Sequence, residues 1–235
     1  MNVLAPPDLP HAAAQSFEIA TLHSPEKDFG SDFCELFMLD ERRLWLVVGS
    51  ADGDAAASAR FAALTKAVFK HVAQRSAHNV EEILAAARSE IALKNPEELN
   101  VTVLTAIFDN VEGTLEICSA GHEPPWLVRA GGDAAPLSVP VAPALGGADA
   151  CESRVGRYRL EAGETLLLVT RGLLHARNAA SNEEFGSGRL QAVIARTAPA
   201  GSATTCVSAL RDELRQFCGS PDAAEKLALL ALRRI

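Results

Sequence analysis

The sequence predicts an α+β fold, and three observations carry that reading. Short apolar runs bounded by turn residues occur near the start of the chain and again through its middle. Two helical segments stand together between those β sections, and two more precede a last apolar run. No internal repeat, low-complexity segment or linker of domain-boundary type interrupts the 235 residues. One domain over residues 16–235 is therefore expected, behind a flexible lead-in over residues 1–15.

The elements follow in order. Phe17–His23 (FEIATLH) reads as a short strand ended by Pro25 and the charged SPEKD. Phe33–Leu39 and the nearly continuous apolar run Leu44–Gly49 read as a hairpin about a turn at Asp40–Arg43, with the second strand buried. Polar SADGD leads into an Ala-rich helix from Ala55 to about Gln74, in which Phe61, Leu64, Val68 and Phe69 supply bulk. A second helix is expected over Val80–Leu93. Asn79 is its cap, Glu81 and Glu82 favour its first turn, and Asn95-Pro96 stops it.

Strands return at Val101–Phe108, Thr114–Ser119 and Trp126–Arg129, with turns at Asn110–Gly113 and Gly131-Gly132. A Pro- and Ala-rich loop covers residues 134–150. Further strands are expected at Ser153–Leu160 and Thr165–Thr170, and helices at Gly188–Arg196 and Ser202–Phe217. The closing run Lys226–Leu232 (KLALLAL) is short and follows Pro221, so it fits a buried strand better than a helix.

Composition excludes several functions. A net charge of −8 argues against a nucleic-acid partner, which needs a basic surface, but leaves a basic protein partner open. No stretch approaches the roughly 20 apolar residues of a membrane span. The opening MNVLAPPDLPHAAAQ has no basic region followed by an apolar core, so it is not a secretory signal. The five cysteines (34, 118, 151, 206 and 218) form no CxxC pair and read as reduced thiols of a cytoplasmic protein, with Cys118 in the core run LEICSAG. His71 and His78 read as surface residues. No P-loop, Rossmann glycine pattern or GxSxG is present.

Six motifs, in order from about Phe17 to Arg234, carry a family resemblance. Gly30-Ser31-Asp32-Phe33-Cys34-Glu35 is similar to a Gly-Gly-Asp-Phe-Tyr-Asp opening, and DERRLWLVVGSADGD to a hairpin ending in Gly-Asp-Val-Ser-Gly-His-Gly. ICSAGHEPPWLVRA is similar to an Asn-Ala-Gly-His-Pro-Pro strand pair, and LLLVTRGLLHARN to a strand and turn with Thr-Asp-Gly-Val-Thr-Glu-Ala-Arg-Asn. NEEFGSGRLQAVI and EKLALLALRR match the two remaining motifs. The chain resembles the sporulation and stress-response (SpoIIE-like) branch of the type 2C metal-dependent serine/threonine phosphatases. That resemblance implies a four-layer α-β-β-α sandwich of two antiparallel sheets flanked by helices.

It also implies a centre of two divalent ions, Mn²⁺ or Mg²⁺, held by carboxylates, that activates a water against phosphoserine or phosphothreonine. Four acidic family positions fall here on Asp32, Ser50, Arg171 and Glu225. Ser50 is a poor neutral substitute for a bridging acid, and Lys226 stands beside Glu225. Arg171 stays protonated. At ~4 Å and an effective dielectric near 20, its raw repulsion of a divalent ion is about 8 kcal/mol. Set against about 10 kcal/mol for a good divalent site, that is enough to abolish binding unless the side chain points away. Arg171 is alternatively a structural tie to Asp32 or Glu225, in which case Arg171→Ala destabilises the fold.

The expectation is therefore a pseudophosphatase with no assigned catalytic residue and no cofactor. It serves as a binding or regulatory module in a bacterial partner-switching pathway, with a phosphorylated anti-sigma-factor antagonist as the kind of protein partner. The alternative is an active phosphatase with an altered site, in which Asp52, two residues past Ser50, joins Asp32 and Glu225 in holding one Mn²⁺ or Mg²⁺. His122, in the Ala-Gly-His turn, reads as structural. His175 stands where the family usually has glutamate. Oligomeric state is left open.

Overall fold

The structure, a computed structural model, describes residues 2–4, 16–23, 31–76, 79–147, 154–197, 201–219 and 227–235. The chain divides into two compact units with interleaved segments. The first is Met1–Lys27, Pro124–Leu137 and Leu160–Ile235, and the second is Asp28–Glu123 and Ser138–Arg159. The α+β class is as expected from the sequence, with two β-sheets and helices in both units.

The second unit holds β3 (Asp32–Met38), β4 (Arg43–Ala51), α1 (Ala55–Ser76), α2 (Val80–Leu93), β5 (Val101–Asp109), β6 (Thr114–Ala120), β9 (Val141–Ala142) and β10 (Gly156–Arg159). Its strands lie in the order β10-β6-β5-β4-β3, all antiparallel, with β9 parallel to β6. Both faces of β4, β5 and β6 are buried, which is why their sequences run apolar without alternating. Phe33, Trp45, Val47, Val103 and Cys118 pack with Phe61, Phe69, Ile83, Leu84 and Ile91 of α1 and α2. Trp45 still satisfies its indole: Nε1 donates to Thr105 Oγ1 at 3.0 Å, and that hydroxyl donates to Leu46 O at 3.1 Å.

Local signals set the helix starts. Asp54 Oδ1 accepts from the Ala56 and Ala57 amides ahead of α1, and Asn79 Oδ1 accepts from the Glu82 amide ahead of α2. The segment expected as a plain loop over 134–150 instead contributes two short strands, β9 among them. It is fastened from a distance. Arg88 of α2, buried, donates to Pro143 O at 2.9 Å and Ala144 O at 3.3 Å, and Asn95 Nδ2 donates to Gly146 O at 3.0 Å. Gly146 has φ +132°, and an added Cβ would stand 2.0 Å from Leu99 O.

The first unit holds β1 (Asn2–Leu4), β2 (Phe17–His23), β7 (Trp126–Val128), β8 (Ala134–Pro136), β11 (Thr165–Val169), α3 (Arg171–Leu174), α4 (Gly186–Thr197), α5 (Ala203–Cys218) and β12 (Ala228–Arg234). Its antiparallel sheet runs β1-β2-β12-β11-β7-β8. The last strand therefore sits inside the sheet between β2 and β11, and Ala228–Leu232 is wholly buried, as its apolar run predicts. Asn2–Leu4, within the segment read as a flexible lead-in, pair with Thr21–His23. Leu190, Val193 and Ile194 of α4 and Val207, Leu210 and Leu214 of α5 pack with Ala20, Leu22, Leu229 and Ala231 of the sheet. Among the described residues no helix is long and apolar enough to cross a membrane.

Candidate functional site

The hairpin of β3 and β4 places the first two sequence-predicted positions opposite each other. Its register runs unbroken from Met38↔Leu44 to Asp32↔Ser50. Because strand side chains alternate, Asp32 and Ser50 lie on the face away from Phe33, Val47 and the helices. Ser50 Oγ donates to Asp32 Oδ1 at 2.6 Å, and Ser31 Oγ adds a longer bond to the same oxygen at 3.3 Å. Asp32 Oδ2 is buried without a hydrogen-bond partner among the described residues. Within its unit, Asp32 Oδ1 is thus held by two serine hydroxyls.

The same register separates Asp52 from Asp32. Asp52 lies beyond the end of β4, exposed, with its amide donating to Asn100 O at 2.8 Å. Asp54 is committed to capping α1, and the Ala57 and Ala56 amides hold its carboxyl below the usual carboxylate range. The two-residue slip that would bring Asp52 opposite Asp32 is not the register formed.

At the far side of this sheet β6 ends at Ala120 and the chain turns at Gly121, whose φ is +68°. The Gly121 amide donates to Ala142 O at 2.8 Å, which seats the turn on β9. His122 follows and is only 5% exposed. Its Nδ1 lies 3.0 Å from Glu123 O. A carbonyl only accepts, so Nδ1 carries the proton and Nε2 presents a lone pair. That Nε2 is buried and has no partner among the described residues. Burial pushes the imidazole below its ordinary pKa, against the opposing pull of the Glu123 carbonyl and the nearby negative charges of Asp32 and Glu123. From the sequence His122 reads as a structural turn residue. The unpartnered nitrogen depends on burial and on the Glu123 bond, which no motif records.

In the first unit β11 runs up to Thr170. Its buried hydroxyl donates to Ala228 O at 3.2 Å and accepts from the Ala228 amide at 2.9 Å. Arg171 then opens α3, exposed, with no ion pair to a described carboxylate. Glu225 and Lys226 lie outside the described residues. His175 belongs to a surface ion cluster: its Nδ1 is 3.0 Å from Glu184 Oε2, which Arg177 also pairs at 2.7 Å through Oε1.

Hard divalent ions take six or more oxygens, with several carboxylates among them. Among the described residues no three His, Cys, Asp or Glu side chains gather into such a set. Asp32 Oδ1 is taken by Ser50, and Oδ2 has no hydrogen-bond partner among the described residues. The described residues do not fit a two-ion carboxylate centre.

A sequence profile of stage II sporulation protein E (SpoIIE) matches residues 40–235. Among curated proteins no sequence matches the chain. The RsbU and RsbW domains of Rv1364c from Mycobacterium tuberculosis share the fold at a TM-score of 0.76 and 24% identity, over 93% of this chain and 60% of that one. The SiaA-PP2C domain of Pseudomonas aeruginosa matches at 0.77 and 18% identity, over 92% and 84%. RsbX, in a complex with magnesium, matches at 0.69 and 14% identity over the full length of both chains. The chain thus spans about three fifths of the mycobacterial structure.

Proposed function

This chain belongs to the stage II sporulation protein E (SpoIIE) family, and from that premise we propose that it is a phosphatase-like regulatory module that has lost two-ion catalysis. The observation that carries the proposal is the Ser50–Asp32 pair. Where the family resemblance places a bridging acid, a hydroxyl donates to the remaining carboxylate at 2.6 Å. A serine brings no charge and spends its proton on Asp32, so it offers a divalent ion little. Arg171 at the third acidic position adds a fixed positive charge.

Such a module works by binding. It recognises, or competes for, a serine-phosphorylated protein of a partner-switching pathway in the bacterial cytoplasm. The net charge of −8 directs the search to partners with basic surface next to the phosphoserine.

The test is calorimetric titration with Mn²⁺ alongside turnover of a phosphoserine protein. Neither two-ion binding nor turnover is expected, and saturable two-ion binding with turnover would sink the proposal. A second reading has one observation in its favour, the bare Asp32 Oδ2. It is an altered phosphatase that uses Asp32, Asp52 and Glu225 with a single ion. Turnover that disappears in both Asp32→Asn and Asp52→Asn would establish it.

A further inference from the structure

The buried face of α2 is apolar except at one position. Val80, Ile83, Leu84, Ala87 and Ile91 share it with Arg88, which is only 8% exposed. Among the described residues no carboxylate pairs with Arg88. Its guanidinium donates instead to two successive carbonyls, Pro143 O at 2.9 Å and Ala144 O at 3.3 Å. Taking a guanidinium out of water without a counter-charge is unfavourable, and an apolar side chain of similar length would fill the same face at lower cost. Packing alone therefore does not account for an arginine here. Its rigid planar fork of donors does, because it fixes two neighbouring carbonyls at once.

Those carbonyls belong to the segment on which the Gly121–His122 turn is seated. Ala142, next to Pro143, accepts from the Gly121 amide at 2.8 Å and pairs with Ala120. Ala144 packs against the glycine itself: a Cβ added at Gly121 would stand 3.1 Å from Ala144 Cβ and 3.2 Å from its nitrogen. Val103 of β5 bridges to Gly121 as well. Three links thus run from helix to turn: Arg88 to residues 143–144, that segment to Gly121, and Gly121 to His122 through the peptide bond. Asn95 fastens the same segment farther along, at Gly146, and also holds Leu99.

We infer that Arg88 is the positioning residue of the Gly121–His122 turn, so that the place of α2 sets the place of His122. The inference is independent of whether the chain turns over phosphoserine. It gives the two fasteners of the 141–146 segment different parts. Arg88 acts on the stretch that touches Gly121, and its loss frees the turn. Asn95 closes the segment against Leu99, and its loss weakens the fold without reaching the turn.

Hydrogen exchange read by NMR on the ¹⁵N-labelled full chain tests this, with the His122 ring signals assigned by their loss in His122→Gln. The wild type should show slow exchange of the His122 Nδ1 proton, which is bonded to Glu123 O, and of the Gly121 amide. Arg88→Met keeps the reach of the side chain and removes every donor. It should speed both exchanges by about tenfold or more. Asn95→Ala removes three hydrogen bonds, one of them to Gly146. It should lower the Tm at least as far as Arg88→Met, yet leave both exchange rates within about twofold of the wild type. Where Arg88→Met does not fold, Arg88→Gln, which retains an amide donor group, is read in the same way and should show the same direction of change. Unchanged exchange at His122 and Gly121 in the Arg88 variant that folds, or equal loosening in Asn95→Ala, overturns the assignment and leaves Arg88 a stability contact alone. Phosphoserine turnover decides the preceding reading separately, since none of these signals depends on it.

Discussion

Replacing Ser50 by alanine removes the main hydrogen bond on Asp32 and nothing else of comparable size. Oδ1 loses its 2.6 Å donor and keeps only Ser31, at 3.3 Å. Oδ2 has no partner among the described residues, so none of them compensates. A hydrogen bond to a charged acceptor contributes about 1.5–3 kcal/mol net. Ser50 is half-buried, so solvent recovers part of the loss, and about 2 kcal/mol is the expected cost. For a chain of this size that is a fall in Tm of roughly 4–8 °C. A double-mutant cycle isolates the pair: Ser50→Ala, Asp32→Ala and the double variant, each melted in chelator. The coupling should be about 1.5–3 kcal/mol. A coupling below about 0.5 kcal/mol, the level at which independent sites add, would refute the claim that Ser50 holds Asp32. The pseudophosphatase reading would then lose its geometric support.

Further outcomes follow from the same geometry. Ser50→Asp sets two carboxylates side by side, with a raw repulsion of about 4 kcal/mol at ~4 Å. It should melt below the wild type in chelator and regain stability on adding Mn²⁺, and a melt indifferent to Mn²⁺ would count against it. Arg171→Ala should cost less than about 0.5 kcal/mol, because the side chain is exposed and pairs with no described carboxylate. A larger loss in thermal melts would restore the tie read from the sequence. Gly146→Ala should be among the most damaging single changes, since its Cβ would fall 2.0 Å from Leu99 O at a φ of +132°. Wild-type melting would show the 143–146 segment to be laid differently. The Cys118 thiol, pushed up to about 12 by burial and by the Glu81 and Glu116 charges, should resist iodoacetamide in the native protein at pH 8. Peptide mass spectrometry reads this, and modification as fast as in the unfolded chain would contradict it.

The elements legible in the sequence are those whose signals are local. Helix α2 begins and ends at the expected residues because Asn79 caps it through the Glu82 amide, and its burial pattern repeats on one face. Strand β12 was readable because five successive buried residues leave few alternatives to an interior strand. Four elements escaped for reasons of range, among them β8, three residues long and placed by its pairing with β7. Strand β9 is two residues long, too short for any period, and the segment after it is held by Arg88 and Asn95, more than 50 positions away. Helix α3 is a single turn whose cap residue, Thr170, spends its hydroxyl on Ala228 instead of on the helix. Strand β1 exists only through its pairing with β2.

The candidate site divides along the same line. The hairpin was legible but not its register: a turn at Asp40–Arg43 alone would pair Leu39 with Leu44 and set Asp32 against Ala51, whereas Met38 pairs with Leu44 and seven pairs carry Asp32 to Ser50 without a bulge. Bringing Asp52 to that place would need a turn two residues longer. The state of the carboxylate and the imidazole was not legible, because it depends on which atoms burial leaves without water. A serine has one proton to give, and an ionised carboxylate has about four lone-pair sites on two oxygens. Exchanging an acid for Ser50 therefore relieves the repulsion at Oδ1 and does nothing for Oδ2. His122 repeats the pattern with its one proton committed to Glu123. Counting protons against lone pairs leaves this end of the sheet short of donors.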